Sequence, residues 1–239
     1  MPAAFHRLPI YVSPEAGGLR YWLRMSNVDP VLYKMAEELV KPGSVVWDIG
    51  ANVGLFSFCA AALAGPSGCV LAIEPDIWLC HLISRSAQGL KNNDKTAPLS
   101  VLCAAISDTN SVGYLEIAER ARASNHLTES QGSGQANGSR HRQPTATLSL
   151  DFILDFFPAP SVLKIDVEAC ETRVLAGSLK LLKTVRPVLW CEVSPENAQK
   201  VSSLLHGLDY ELYNPTTGGP ASRVPIKSAN WHTLAIPKS

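Results

Sequence analysis

The sequence predicts an α/β fold: a doubly wound sheet of about seven strands, mostly parallel, whose last two strands form an antiparallel hairpin. Three observations predict it. Short apolar runs alternate with segments of helical period from Val45 to Leu205. The first run, "VVWDI", ends near a carboxylate and turns on the glycines of "DIGANVG". Two final extended runs, Tyr210–Tyr213 and Trp231–Ile236, enclose "NPTTGGPASRVP", a connection too short for a crossover helix.

The elements follow in order. Residues 8–25 hold two short apolar-aromatic runs around Pro14–Gly18, the pattern of a hairpin. Asp29-Pro30 opens an amphipathic helix through Leu32, Met35, Ala36, Leu39 and Val40, and Lys41-Pro42-Gly43 stops it. Residues 1–40 therefore read as an N-terminal extension. Strand Val45–Ile49, helix Val53–Ala64, turn Gly65–Gly68 and strand Cys69–Ile73 come next. A helix over 77–91 and a third strand, Ser100–Ile106, complete the first half. Val112–Ile117 is an additional strand. Thr128–Pro144 is rich in Ser, Gly, Gln and Asn and reads as a mobile surface loop. The variable segment 118–146 could serve as a lid. The rhythm resumes with helix Leu150–Phe157, strand Val162–Val167, helix 170–182, strand Val188–Val193 and helix Pro195–Leu205. With no internal repeat, residues 1–239 read as one domain.

Composition narrows the function. The 239 residues are 46% hydrophobic, enough for one sizeable core. Lys+Arg and Asp+Glu both number 21, so the basic excess of a nucleic-acid surface is missing. Arg140-His141-Arg142 reads as part of a solvated loop. No apolar run reaches the roughly 20 residues of a membrane span. The N-terminal "MPAAFHRLPIYV" lacks the apolar stretch of a signal peptide. The cysteines at 59, 69, 80, 103, 170 and 191 form no CxxC pair and mostly sit in apolar segments. They read as buried thiols in a reducing compartment, the cytoplasm, and not as a disulfide frame or zinc site.

The glycine turn carries the chemistry. Gly50 and Gly54 are spaced GxxxG, with Asn52 where the dinucleotide fingerprint GxGxxG has its middle glycine. The lysine of a Walker loop is missing too. A phosphate would be repelled by Asp48 at the lip of such a site, whereas a cation would not. S-adenosylmethionine carries a sulfonium, an ammonium and a carboxylate, and no phosphate. Gly50 permits close backbone approach, and the helix from Val53 offers N–H groups to the carboxylate. Glu74 ends the second strand in "VLAIEP", where an acid accepts hydrogen bonds from ribose hydroxyls. Taken singly, Asp48 is a turn-forming residue and Glu74 a solvated strand end. Together, one βαβ unit apart, they point to an adenosine ligand.

At these residues the sequence resembles the FkbM family of S-adenosylmethionine-dependent methyltransferases. The resemblance rests on "WDIGANVGLFS", "VLAIEPD", "AAISD", "TLSLDFIL", "VLKIDVEACETRVLAGS" and "RPVLWCEV", in family order, with "WHTLAIP" at the end. It implies a class I methyltransferase (Rossmann-like) fold, S-adenosyl-L-methionine as cofactor and methylation at oxygen. The family's usual "DVEGAE" reads Asp166-Val167-Glu168-Ala169-Cys170-Glu171 here, with Ala169 where glycine is common.

The run "VLKIDVEACE" is unusual on its own. In a strand, Lys164, Asp166 and Glu168 share one face, and burying three charges is costly unless they pair or meet a ligand. Part of the run therefore belongs at the strand's carboxyl end, where open α/β sheets bind ligands. A structural Lys164–Asp166 ion pair, with Glu171 in a helix first turn, explains Lys164 and Glu171 equally well. Asp166 and Glu168 read as site residues. Methyl transfer to a hydroxyl gains from a general base. The candidates are Asp166, Glu168, Glu192 at the next strand's end, and His126 in "ASNHLTES". Trp22, Trp47, Trp78, Trp190 and Trp231 read as core packing.

The reading is a methyltransferase in which Asp48, Gly50, Asn52 and Gly54 hold the methionine part and Glu74 the ribose. Asp76 and Ala104-Ala105 border the adenosine. The acceptor is a small molecule such as a sugar or polyketide-like metabolite, with no nucleic-acid or membrane partner. Asp166 and Glu168 could ligate Mg²⁺, but no third ligand is evident, so no metal is expected. A nicotinamide oxidoreductase and a catalytically silent binder on the same fold are the alternatives.

Overall fold

The computed structural model describes residues 1–17, 28–90, 93–118, 126–127 and 139–238. Its main sheet is built on β1 (Val45–Ile49), β2 (Cys69–Glu74) and β3 (Leu99–Cys103), all parallel. On the other side of β1 lie β8 (Val162–Ile165) and β9 (Val188–Glu192), also parallel. β12 (His232–Pro237) and β10 (Tyr210–Tyr213) then continue antiparallel, as their short connection requires. The two-residue β11 (Pro225–Ile226) adds an edge, so the order is β11-β10-β12-β9-β8-β1-β2-β3, eight strands instead of about seven.

The period of two along each strand divides the core. Val46, Val70, Val162 and Trp190 face the layer of α2 (Pro30–Leu39) and α3 (Leu55–Ala64). Trp47, Ile49, Leu71, Leu163 and Leu189 face the opposite layer. There they meet α6 (Glu171–Ala176), α7 (Leu179–Thr184) and α8 (Ala198–Gly207). α3 is apolar around its circumference because it is wedged between sheet and α2, with nine of its ten residues buried. Asp29 caps α2 by accepting from Leu32 N at 2.9 Å. No described helix is long and apolar enough to cross a membrane.

Several expectations are corrected. The first arm of the N-terminal hairpin is not a strand. Ala3–Phe5 is a 3-10 turn, and Pro14–Gly17 (α1) is helical. Phe5 packs against Tyr33 with ring centres 5.3 Å apart and tilted by 35°, and Ala16 packs with Val53, Leu79 and Leu82, so this segment is held by the core and not by a partner strand. Residues 18–27, including Trp22, lie outside the described residues. The helix expected from Val53 starts at Leu55, and α4 (Ile77–Gln88) is shorter than 77–91. The third strand stops at Cys103. Ala105–Ile106 (β4) instead join a second, four-stranded sheet with β5 (Ser111–Ala118), β6 (His126–Leu127) and β7 (Ser139–Leu148), in the order β4-β7-β5-β6.

The expected loop 128–144 is therefore partly strand. Pro144 is tolerated there because β4 reaches only Thr147 and Leu148 of β7. At Pro144 the strand is paired on one side only, with Tyr114 of β5, the one-sided setting in which a strand accommodates proline. Residues 119–125 and 128–138, where most of the expected lid falls, lie outside the described residues.

The helix expected over 170–182 breaks at Gly177-Ser178, and that over 150–157 shortens to α5 (Leu150–Ile153). The break is where this layer meets the strand exit at Ser107. A Cβ on Gly177 would stand 2.2 Å from the Ser107 carbonyl oxygen, closer than any real contact. Gly177→Ala should lower stability by about 1–3 kcal/mol, read as a drop in Tm. Gly207→Ala, where an added Cβ meets nothing within 4 Å, should leave the Tm unchanged or raise it slightly.

Candidate functional site

A cavity of about 280 Å³ opens at the carboxyl ends of β1, β2, β8 and β9. Behind it is a buried charge cluster. Lys164, in β8, is 4% exposed, and parallel pairing places it beside Asp48 of β1. Its Nζ lies 3.1 Å from Asp48 Oδ1 and 3.3 Å from Asp166 Oδ2, and donates to the Gly50 carbonyl at 3.1 Å. Ser57, in α3, donates to Asp48 Oδ2 at 2.6 Å. Burial pushes the Lys164 pKa down, but Asp48 and Asp166 outweigh it and hold the ammonium above its usual range. Asp48 is thus no part of the rim. It is fully buried, and its charge is answered inside the protein.

The turn after β1 is fixed by this cluster. Gly50 has φ 74°, and a Cβ there would stand 1.9 Å from the Asp166 carbonyl oxygen. Gly50 N and Ala51 N donate to Ile73 O, locking the turn onto β2. Asn52 is left-handed at φ 54° and lines the cavity. Its Oδ1 is buried with no hydrogen-bond partner among the described residues. Gly54, at φ 83°, faces away: a Cβ there would meet the Phe58 ring at 2.9 Å, so it lets α3 begin and does not border the cavity.

Glu74, the last residue of β2, lines the cavity and is 5% exposed. Its two oxygens accept from Asn52 N at 2.8 Å and Asp76 N at 3.0 Å. Burial still pushes its carboxyl up to about 8. Each oxygen retains a lone pair for a hydroxyl donor. Asp76 does not reach the cavity. It is buried and caps α4, accepting from Trp78 N at 2.8 Å. Ala104 and Ala105 do line it, with Leu79, Ile106 and Leu115, and form an apolar wall. Three of these five residues, Ala105, Ile106 and Leu115, belong to the second sheet, which the sequence did not announce.

Asp166, Glu168 and Glu192 make the opposite, acidic wall. Asp166 bridges Lys164 and solvent, with its side chain 41% exposed. Glu192 ends β9, and burial, then repulsion from Asp166, pushes its carboxyl up to about 8. Glu171 is structural: it is buried and accepts from Ser194 N, Ser194 Oγ and Asn197 Nδ2, tying the loop after β9 to α6. His126, in β6 at the outer edge of the second sheet, pairs through its backbone with Glu116 of β5, and its side chain lies outside the described residues. Sequence reasoning missed His232, which strand register places opposite Glu192 with Nδ1 3.6 Å from Oε1. No local pattern in "WHTLAIP" shows this, because pairing partners 40 positions apart are visible only in the folded sheet.

Among the described residues no group of three His, Cys, Asp or Glu side chains is poised to hold a metal. The turn does fit a nucleoside bearing a cationic amino-acid tail. It offers an orphaned amide oxygen at Asn52, a carboxylate at Glu74 and a cradle at Gly50 that any side chain would fill.

Two stability effects are expected. Lys164→Met leaves two carboxylates without their cation and should cost about 3–5 kcal/mol in denaturant unfolding. Ala169 has φ 58°, which explains why glycine is common there. Ala169→Gly should raise stability by about 1 kcal/mol in the same measurement.

Comparison with known proteins agrees with this geometry. The sequence matches the methyltransferase FkbM domain over residues 48–212. It is 27% identical over 184 residues to the hexuronic acid methyltransferase AglP of Haloferax volcanii, covering 74% of this chain and 67% of that protein. A crystal structure of methyltransferase FkbM from Methylobacillus flagellatus KT superposes on 98% of the chain with a TM-score of 0.54 at 13% identity. The chain spans 57% of that protein. The precorrin-6y C5,15-methyltransferase of Geobacter metallireducens GS-15 superposes with a TM-score of 0.51 at 15% identity, covering 96% and 94% of the two chains. The fold is that of the class I, Rossmann-like methyltransferases. The chain belongs to the FkbM methyltransferase family.

Proposed function

We propose that this protein transfers a methyl group from S-adenosyl-L-methionine to a hydroxyl of a small-molecule acceptor, such as a sugar or a polyketide-like metabolite. One observation carries the reading. The cavity at the strand ends is lined by Glu74, Asp166, Glu168 and Glu192, with no basic side chain among its described lining residues. Such a lining offers no counter-charge to the pyrophosphate of a nicotinamide dinucleotide, whereas a bound sulfonium and ammonium favour the ionised forms of Glu74 and Glu192, whose carboxyls otherwise stand at about 8. The selective charge is thus the acidic wall and Glu74, and Asp48 acts behind it.

In this reading Glu74 accepts from ribose hydroxyls, and the wall of Ala104, Ala105, Ile106 and Leu115 covers the base. The Gly50–Asn52 turn, with its orphaned amide oxygen, takes the amino-acid end. The cofactor supplies an electrophilic methyl on a positively charged sulfur. The protein's own part is alignment of an acceptor oxygen at the acidic wall and removal of its proton. Asp166 is engaged with Lys164, and Glu192, at the end of β9 with its carboxyl pushed up to about 8, is the better placed base. The relative AglP acts, by its name, on a hexuronic acid. The acidic lining of this cavity offers no counter-charge to an anionic acceptor and so favours one without a negative charge. None of the six cysteines is in a disulfide, which suits a reducing compartment such as the cytoplasm.

Calorimetric titration should show saturable binding of S-adenosylmethionine and none of NAD. Glu74→Ala should weaken it about tenfold or more through lost charged hydrogen bonds. Labelled-methyl transfer should appear on neutral hydroxyl compounds, with S-adenosylhomocysteine as co-product. A titration that takes up NAD in place of S-adenosylmethionine overturns the assignment.

The raised carboxyls give a pH signature. The Glu74 carboxyl moves from an ordinary 4.5 to about 8 on folding, so the folded state holds the proton more tightly. This contribution is complete below about 4.5 and is lost as pH rises through about 8. The unliganded protein should lose stability across that window, and Glu74→Gln should flatten the slope.

A further inference from the structure

Resting on the function proposed above, we propose that His232 is a positioning residue for Glu192, its Nδ1–H orienting and steadying the carboxylate that takes the acceptor's proton. Four observations converge. The antiparallel register of β12 on β9 sets His232 directly opposite Glu192. His232 Nδ1 stands 3.6 Å from Glu192 Oε1, and Glu192 lines the cavity whereas His232 does not. That nitrogen is buried and makes no hydrogen bond among the described residues, so no other acceptor competes for it. The imidazole lies beside the buried Trp190, ring centres 6.3 Å apart and tilted by 30°. A separation slightly beyond hydrogen-bond length is usual for catalytic groups without substrate, and it closes as the ligand binds.

The charges around the pair are Asp166, Glu168 and Lys164 from β8 and the turn after it, and Asp29 at the start of α2. Burial lowers the His232 pKa and raises that of Glu192. At neutral pH the imidazole is therefore uncharged, with one nitrogen free to donate. In the reaction the acceptor oxygen bonds the methyl carbon while the carbon–sulfur bond breaks and its electron pair stays on sulfur. The hydroxyl proton passes to Glu192, and later to solvent. His232 neither gains nor loses a proton. It lowers the cost of the ionised carboxylate that must be present first.

The test compares the native protein with His232→Leu, which removes the donor, and His232→Asn, whose amide reproduces a donor near Nδ1. Carbon-13 NMR follows the Glu192 side-chain carboxyl in the unliganded protein. Its midpoint should rise by about half a pH unit or more in His232→Leu and return close to native in His232→Asn. The acid limb of kcat should move with it, and kcat at neutral pH should fall about tenfold in the leucine variant only. Calorimetry should give the same S-adenosylmethionine affinity for all three, showing that the fold is intact. The proposal is overturned by a Glu192 midpoint unchanged across the three proteins, or by equal losses of kcat in both variants. The NMR arm needs neither cofactor nor acceptor. A native protein that binds no S-adenosylmethionine would sink the proposed function and the catalytic role of the pair, even with the midpoint shifted as expected.

Discussion

The site depends on one buried ammonium. Lys164 sits between two carboxylates from different strand ends and also holds the carbonyl of the glycine turn. Taking such a charge out of water costs several kcal/mol, and only close counter-charges offset it. Asp48 and Asp166 supply them, and Ser57 satisfies the second oxygen of Asp48. The geometry that results is specific. The turn after β1 is drawn against the exit of β8 so closely that no side chain fits at Gly50. A hydrophobic replacement could stabilise the same sheet, but it would not draw these two strand ends together.

From that tie the division of labour follows. One wall of the cavity is apolar and owes three of its five residues to the second sheet. The other is acidic and comes from the exits of β8 and β9. Glu74 stands between them on paired backbone donors. A ligand with an aromatic base, a diol and a cationic tail meets a complementary surface at each part. In the proposed reading the acceptor meets the acidic wall, and His232, opposite Glu192, joins that wall to the C-terminal hairpin.

Much of this was legible in the sequence, for physical reasons. Val45–Ile49 and Cys69–Glu74 are buried on both faces, so they read as strands without any alternation to decode. The short link before the last strand forced the antiparallel ending. Gly50 and Glu74 were identified because a turn and a strand end have local signatures. What escaped depends on distant partners. Asp48 looked like a rim residue because its counter-ion lies 116 positions later and meets it only through strand register. The Lys164–Asp166 pair was weighed as a structural alternative and is present. Residues 139–144 are polar enough to pass for a loop, yet they pair with β5, whose backbone supplies what their side chains do not advertise. Ala169 was noticed as a departure, but its left-handed φ, the reason glycine is usual there, appears only in three dimensions.

The central claim is that a lysine-tied glycine turn and an acidic wall together form a pocket for S-adenosylmethionine. A crystal structure with S-adenosylhomocysteine tests it most directly. The account places the ribose hydroxyls on Glu74, the base against Ala105 and Ile106, and the amino-acid end at Gly50 and Asn52, with the Lys164 cluster unmoved. An empty cavity, or a ligand bound elsewhere on the chain, would contradict it.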